Sequence, residues 1–311
     1  MGLHVIVGTG PVGAGTALRL AEAGHQVRTV TRSGNGPSHP RIERIAADAV
    51  RSDTLATLAT DADAIYNCAN PPYHRWAADW PPLAAAMLDA AQRTGAVLVT
   101  TSNLYGYGPV DHPVTERDPL AATFTNGHVR AQMWNEAIAA HRDGRVRVTE
   151  ARASDFFGPG LTDSSQLGRV IPRILAAKSV RVLGNPDLAH SWTYVPDVTR
   201  ALVTLGTDPR AWGHPWHVPT DAPRTQREMI DGFAQIAGVA SPRVASFPHL
   251  ALRAVGLVSP TVRSLREILY QVDAPFVVDS SSFSQTFGVT PTPTQDALRE
   301  TFASWTSPVA A

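Results

Sequence analysis

Short apolar runs and amphipathic stretches alternate through the first half of the chain. Leu3 to Val7, Gln26 to Thr31, Ile42 to Ala46, Ala64 to Ala69, Ala96 to Thr101 and Val146 to Ala151 read as strands. Between them, Gly13 to Ala23, Ser52 to Ala59, Trp80 to Arg93 and Gly127 to His141 read as helices. Gly24-His25 closes the first helix and Gly95 the third. Strands alternating with helices imply parallel βαβ units, so the fold class is α/β with a doubly wound parallel sheet. Ligands of such sheets bind at the carboxyl ends of the strands. Function is therefore expected in the turns after residues 7, 31, 48, 69, 101 and 153.

The texture changes after Gly158-Pro159-Gly160. Helical patches at Leu167 to Ala177, Gln226 to Ala237, Ser264 to Tyr270 and Gln295 to Trp305 are separated by proline-rich connectors. Thr225-Gln226-Arg227-Glu228 fits a capping box. The expected division is a dinucleotide-binding domain over 1–157, with 190–218 returning to it. A smaller substrate-binding lobe would take 158–189 and 219–311.

At 311 residues the chain can bury a sizeable core. Its 27 Lys and Arg balance 27 Asp and Glu, and no long basic run suits a nucleic acid. The single cysteine, Cys68, excludes an internal disulfide framework and fits a reducing compartment. The first strand begins at once, leaving no room for a signal peptide, and no apolar run approaches a membrane span. A cytoplasmic protein acting on a small molecule is expected, with no metal, membrane or nucleic-acid partner.

The sharpest chemical signal follows the first strand: Gly8-Thr9-Gly10-Pro11-Val12-Gly13. In this G-x-G-x-x-G spacing Gly8 allows the tight turn, Gly10 lets backbone approach a pyrophosphate, and Gly13 lets helix and strand pack closely. Free amides at the helix start then face the phosphates. An NAD site usually ends its second strand with a carboxylate that holds the ribose 2′-hydroxyl. Residues 28–38 contain none, and Arg32 stands just past the strand end. Its guanidinium suits a 2′-phosphate, so NADP(H) is expected over NAD(H); the alternative is a solvated arginine in a loop.

Further motifs carry a family resemblance. Thr101-Ser102-Asn103-Leu104-Tyr105-Gly106 matches a Ser/Thr-x-x-x-Tyr-Gly stretch, and Arg152-Ala153-Ser154-Asp155-Phe156-Phe157-Gly158-Pro159 is similar to an Arg-x-x-Asn-x-x-Gly-Pro element. Tyr194-Val195-Pro196-Asp197-Val198 and Trp216-His217-Val218 resemble later elements in the same order. Together with the glycine turn they resemble the extended short-chain dehydrogenase/reductase superfamily, in its NAD-dependent epimerase/dehydratase type, over almost the whole chain. The resemblance implies a Rossmann-type sheet and a set of roles. Gly8, Thr9, Gly10, Pro11, Val12, Gly13 and Arg32 would hold the adenosine diphosphate half. Asp48 would contact adenine, or be a solvated loop acid. Cys68, Ala69 and Asn70 would line the nicotinamide side, Cys68 as a small apolar residue. Thr101 would hydrogen-bond the reacting oxygen.

One departure stands out. The family's acid–base pair is Tyr-x-x-x-Lys, and the fitting register here is Asn126-Gly127-His128-Val129-Arg130. Asn cannot titrate, and Arg cannot act as a base, which marks an atypical member. Tyr105, Tyr107, Tyr73, His74 and His128 are candidates to replace the lost donor, with Arg130 keeping the charge. Asn103, Asp155, Phe156, Trp192 and Tyr194, with Tyr73, are candidates to line a rather apolar substrate pocket; Phe157 and Tyr270 share that expectation, and core packing explains the aromatics equally well. Three functions stay open: an NADP-dependent oxidoreductase on a small carbonyl or alcohol, a net non-redox epimerase or dehydratase, and a non-catalytic NADP-binding redox sensor. A homodimer through the Trp80 and Gly127 helices is the usual arrangement among relatives.

Overall fold

The computed structural model describes residues 1–163 and 165–306. In chain order the first elements are β1 (Leu3–Val7), α1 (Pro11–Glu22), β2 (Gln26–Thr31), β3 (Ile42–Ala46), α2 (Ser52–Leu58), β4 (Ala62–Asn67), α3 (Trp76–Thr94) and β5 (Val97–Asn103). They continue with α4 (Thr125–Arg142), β6 (Arg147–Ala153), β7 (Asp155–Phe157), α5 (Gln166–Leu175), β8 (Val180–Val182), β9 (Trp192–Tyr194), α6 (Val195–Thr207) and β10 (Pro215–His217). The last are α7 (Gln226–Ile236), β11 (Val244–Ser246), α8 (His249–Val258), α9 (Pro260–Arg266), α10 (Tyr270–Asp273), α11 (Ser281–Phe287) and α12 (Thr294–Thr306).

These elements form two compact units. One comprises 1–108, 119–153 and 198–218; the other comprises 109–118, 154–197 and 219–311. The first is built on a seven-stranded sheet of order β10-β6-β5-β4-β1-β2-β3, every pairing parallel. From β1 the chain winds outward to β2 and β3, and then returns to β4 on the other side of β1. That reversal between β1 and β4 is the switch point at which doubly wound sheets bind ligands. Val5, Ile6, Ala64, Ile65 and Val99 are wholly buried there, as strands covered on both faces require.

The second unit carries two small parallel pairs, β7 with β9 and β8 with β11. Its core gathers Phe157, Leu167, Ile171, Ile174, Trp192, Tyr194, Ile230, Phe233 and Leu298. The capping box at Thr225 and Glu228 is formed as expected, each side chain closing on the other's backbone. Asp197, at the start of α6, accepts 2.7 Å hydrogen bonds from both the amide and the hydroxyl of Thr292.

Two expectations about helices are corrected. α3 starts at Trp76, one turn before Trp80, and runs through Pro81 and Pro82. Those prolines forgo the bonds to the carbonyls of Ala77 and Ala78, a loss near the helix start that burial of Trp76 and Trp80 offsets. In place of one helix over Ser264 to Tyr270, α9 ends at Arg266 and α10 begins at Tyr270, with α8 and α11 unforeseen on either side.

Candidate active site

The glycine turn has the geometry its spacing implies. Gly8 has φ +93°, and a β-carbon there would meet the backbone of Cys68 and Ala69 at 2.8–2.9 Å. A β-carbon on Gly13 would stand 2.0 Å from the Gly8 carbonyl oxygen, so only glycine lets α1 start this close to β1. Gly10 differs: nothing lies within 4 Å of its β-carbon position. It is the N-cap of α1, no side chain caps that end, and Pro11 occupies the first turn without an amide to satisfy. An open cradle over uncapped helix amides fits a pyrophosphate. The Thr9 hydroxyl donates to the Asn35 carbonyl, tying the cradle to the loop after β2. In that loop Arg32 is exposed and makes no ion pair among the described residues. Asp48 is also exposed, and its carboxylate accepts from the Val50 amide in a local turn.

At the neighbouring strand ends, the Cys68 thiol and the Thr101 hydroxyl are 3.5 Å apart. Burial pushes the thiol up to about 12, so it stays neutral and is no nucleophile. After β4, Tyr73 begins a single 3₁₀ turn; after β5, Tyr105 begins another, whose amide is held by the Asn103 side chain at 3.1 Å. The Tyr73 and Tyr105 hydroxyls meet at 3.0 Å. Tyr73 stacks on Trp76 with ring centroids 4.8 Å apart.

Behind these phenols, α4 presents Asn126 and Arg130 on one buried face. The Arg130 guanidinium lies 4.5 Å from the ring centres of both Trp76 and Trp80. Burial pulls it down to about 10, against the opposing pull of Glu150, which leaves it charged at neutrality. Its Nε and Nη1 have no hydrogen-bond partner among the described residues.

Sequence reasoning missed a second buried network. Arg152 Nε donates to Glu150 at 2.7 Å and Arg152 Nη1 to the Tyr107 hydroxyl at 2.6 Å, and that hydroxyl lies 2.8 Å from His217 Nε2. Burial works against the charge on Arg152, but Glu150 and Tyr107 outweigh it and hold it above its ordinary value. The network exists because β6 and β10 pair with Arg152 opposite His217, and so two separately noted motifs meet in space.

A family model, the NAD dependent epimerase/dehydratase family, matches residues 5–218. The chain belongs to that family. No curated protein matches it. Among solved structures it is similar to dTDP-glucose 4,6-dehydratase from Bacillus anthracis in complex with NAD, at 16% identity and TM-score 0.80, covering 98% of this chain and 96% of that one. It is also similar to UDP-glucuronic acid 4-epimerase from Bacillus cereus in complex with UDP-glucuronic acid and NAD, at 17% identity and TM-score 0.78, covering 97% and 98%. A Streptomyces venezuelae dTDP-glucose 4,6-dehydratase variant matches at 19% identity and TM-score 0.77, covering 98% of this chain and 97% of that one. At these identities the likeness is one of fold.

Four expected site residues are exposed or packed in a core. His128 is exposed, because two residues along a helix turn about 200°, away from the face that Asn126 and Arg130 share. Trp192 and Tyr194 belong to the second unit's apolar core, the indole donating to the Arg224 carbonyl at 2.9 Å and the Tyr194 hydroxyl to Glu300. Phe157 lies in that core too. Phe156 is half-buried. Asp155 is engaged in a way the sequence did not reveal: its Oδ2 accepts from Gln166 and lies 2.7 Å from Nε2 of the buried His190. Nδ1 of His190 is 3.0 Å from the Gln271 carbonyl. Both ring nitrogens thus lie within hydrogen-bond distance of an oxygen. Tyr270 packs nearby, and burial raises its phenol.

His4, His25 and Asp63 could hold a metal ion, one ligand atom from each lying within 4.8 Å of the others. They sit at the amino ends of the strands, opposite the glycine turn. His4 is wholly enclosed; burial, then the charge of His25, pushes it down to about 4.

Proposed function

We propose that this epimerase/dehydratase family member is an NADP-dependent oxidoreductase acting on a small carbonyl or alcohol. The observation that carries the reading is the open cradle at Gly10 above the uncapped start of α1. Gly8, Gly10, Gly13 and the first amides of α1 would hold the pyrophosphate, and the bound dinucleotide would supply hydride. Solved neighbours are described with NAD, yet no carboxylate follows β2 here, and the exposed Arg32 suits a 2′-phosphate. Cys68, Ala69 and Asn70 would border the nicotinamide. The Thr101 hydroxyl would donate to the reacting oxygen, orienting it and stabilising charge that develops there.

Calorimetric titration with NADPH and NADH tests the cofactor. Wild type is expected to prefer NADPH, and Arg32→Ala to weaken NADPH far more than NADH. Equal weakening of both would sink the assignment. Thr101→Ala should lower turnover of ketones by about 10²–10³-fold while NADPH affinity holds.

A second reading keeps the site and makes the chemistry net non-redox. The family itself favours it. Product formation without net loss of NADPH absorbance would select it.

A further inference from the structure

The oxidoreductase reading leaves the proton donor unassigned, and any assignment of that donor rests on the same reading. Arg130, Arg152 and Glu150 are buried in the first unit, at no more than 7% exposure each. Arg152 takes up the Glu150 carboxylate at 2.7 Å. Arg130 has no carboxylate in ion-pair range among the described residues, so two guanidinium groups share one counter-charge. A buried surplus positive charge is costly unless something nearby answers it. The two indole faces answer it in part, by cation–π attraction.

The next groups out are phenols. Tyr73 stacks on Trp76, and the Tyr105 ring lies 5.9 Å from that indole. Their hydroxyls are 3.0 Å apart, so one donates to the other, and the Arg130 charge acts on both. Tyr105 follows directly on β5, the strand that carries Thr101, and Tyr73 follows β4, which leads to Cys68.

We propose that Tyr105 is the proton donor and acceptor of this enzyme, with Tyr73 and Arg130 as positioning residues. The Tyr–cation chemistry that α4 no longer supplies through residue 126 is rebuilt from the loops after β4 and β5. In the reducing direction, with the bound dinucleotide supplying hydride to the carbonyl carbon, the Tyr105 O–H bond would break and its proton would pass to the carbonyl oxygen. The phenolate left behind accepts the Tyr73 hydroxyl hydrogen bond and is stabilised by Arg130. A proton from water resets it, and oxidation of an alcohol runs the same steps in reverse. Of the charged or titratable groups around the phenol, Tyr73 comes from the β4 loop, Arg130 from α4 and, acting through Arg130, Glu150 from β6. Cys68 remains a neutral thiol. Tyr66 gives the contrast: it is wholly buried, and burial, with Cys68 and Asp63 beside it, drives its phenol upward.

Alkaline titration of phenolate absorbance in the protein without nucleotide tests the assignment. One of the six tyrosines should ionise ahead of the rest, and that early step should vanish in Tyr105→Phe. Tyr73→Phe and Arg130→Met should each move it to higher pH; Tyr73→Phe suffices if the arginine variant does not fold. In turnover, Tyr105→Phe should lower kcat by about 10²–10⁴-fold with NADPH affinity unchanged. NADPH binding together with an early phenol that survives Tyr105→Phe would overturn the proposal alone. A wild type that binds no NADPH would overturn the oxidoreductase reading and the proposal with it.

Discussion

Arg130 illustrates what one residue's surroundings add to its identity. The family resemblance placed it at the position of the expected lysine and implied a charge there. The indole cage was not legible, because Trp76 and Trp80 lie 50 or more positions earlier and meet Arg130 only through the packing of α3 on α4. Removing a buried charge that lacks a full counter-charge can stabilise a fold. Arg130→Met is therefore expected to leave stability unchanged or raise it by about 1–2 kcal/mol in urea denaturation, while the early phenol is lost. A large destabilisation would mean that the cage needs the cation. His128 and His190 make the complementary point. The first looked available because it sits near the lost tyrosine in sequence, but helix geometry turns it outward. The second carried no motif, and only the folding of residues 155, 166, 190 and 271 into one place reveals its double acceptor environment.

At the scale of elements, the β1 turn into α1 was legible almost completely. Three glycines at fixed spacing constrain backbone in ways no other residue satisfies, and the structure separates their tasks. Gly13→Ala forces a β-carbon against the Gly8 carbonyl and should cost stability, seen as a lower melting temperature. Gly10→Ala meets no protein atom. It should fold with an unchanged melting temperature yet weaken NADPH binding in calorimetry, because its methyl group occupies the cradle. A Gly10→Ala variant that binds NADPH as wild type does would remove the pyrophosphate from this turn. The later helices were harder to place. α8 keeps Leu250, Leu257 and Val258 largely exposed, so among its described residues the apolar ones trace no clear buried stripe. α10 is only four residues long, too short for a periodic signal.

Across the whole molecule, pH should act on stability through the amino-terminal end of the sheet. Folded His4 resists protonation down to about 4, whereas in the unfolded chain it takes up a proton near 6.5. The unfolded state therefore binds the extra proton between those values, and stability present above pH 6.5 is lost as pH falls toward 4, by on the order of 3 kcal/mol. His4→Gln should flatten that loss, so its melting temperature should fall less than wild type between neutrality and about pH 5. Parallel slopes would place the acid sensitivity elsewhere. The alternation of strands and helices made the sheet's class readable, since strands joined through helices pair in parallel. The sequence also had residues 190–218 returning to the first domain, and 198–218 lie in the first unit; residues 109–118, expected there too, lie in the second, a matter of which distant surfaces pair and not of local pattern.

That late return has a consequence for synthesis. When Ala153 leaves the ribosome, six strands of the sheet exist, but the outer edge of β6 stays bare until β10 arrives with His217. At about 5–20 residues per second, the roughly 60 intervening residues leave that edge open for several seconds. An unpaired parallel edge is a template for wrong pairing. A nascent chain of this protein should therefore be most dependent on chaperones between those two points, and a translational pause just after β6 should lower soluble yield more than the same pause placed after residue 218.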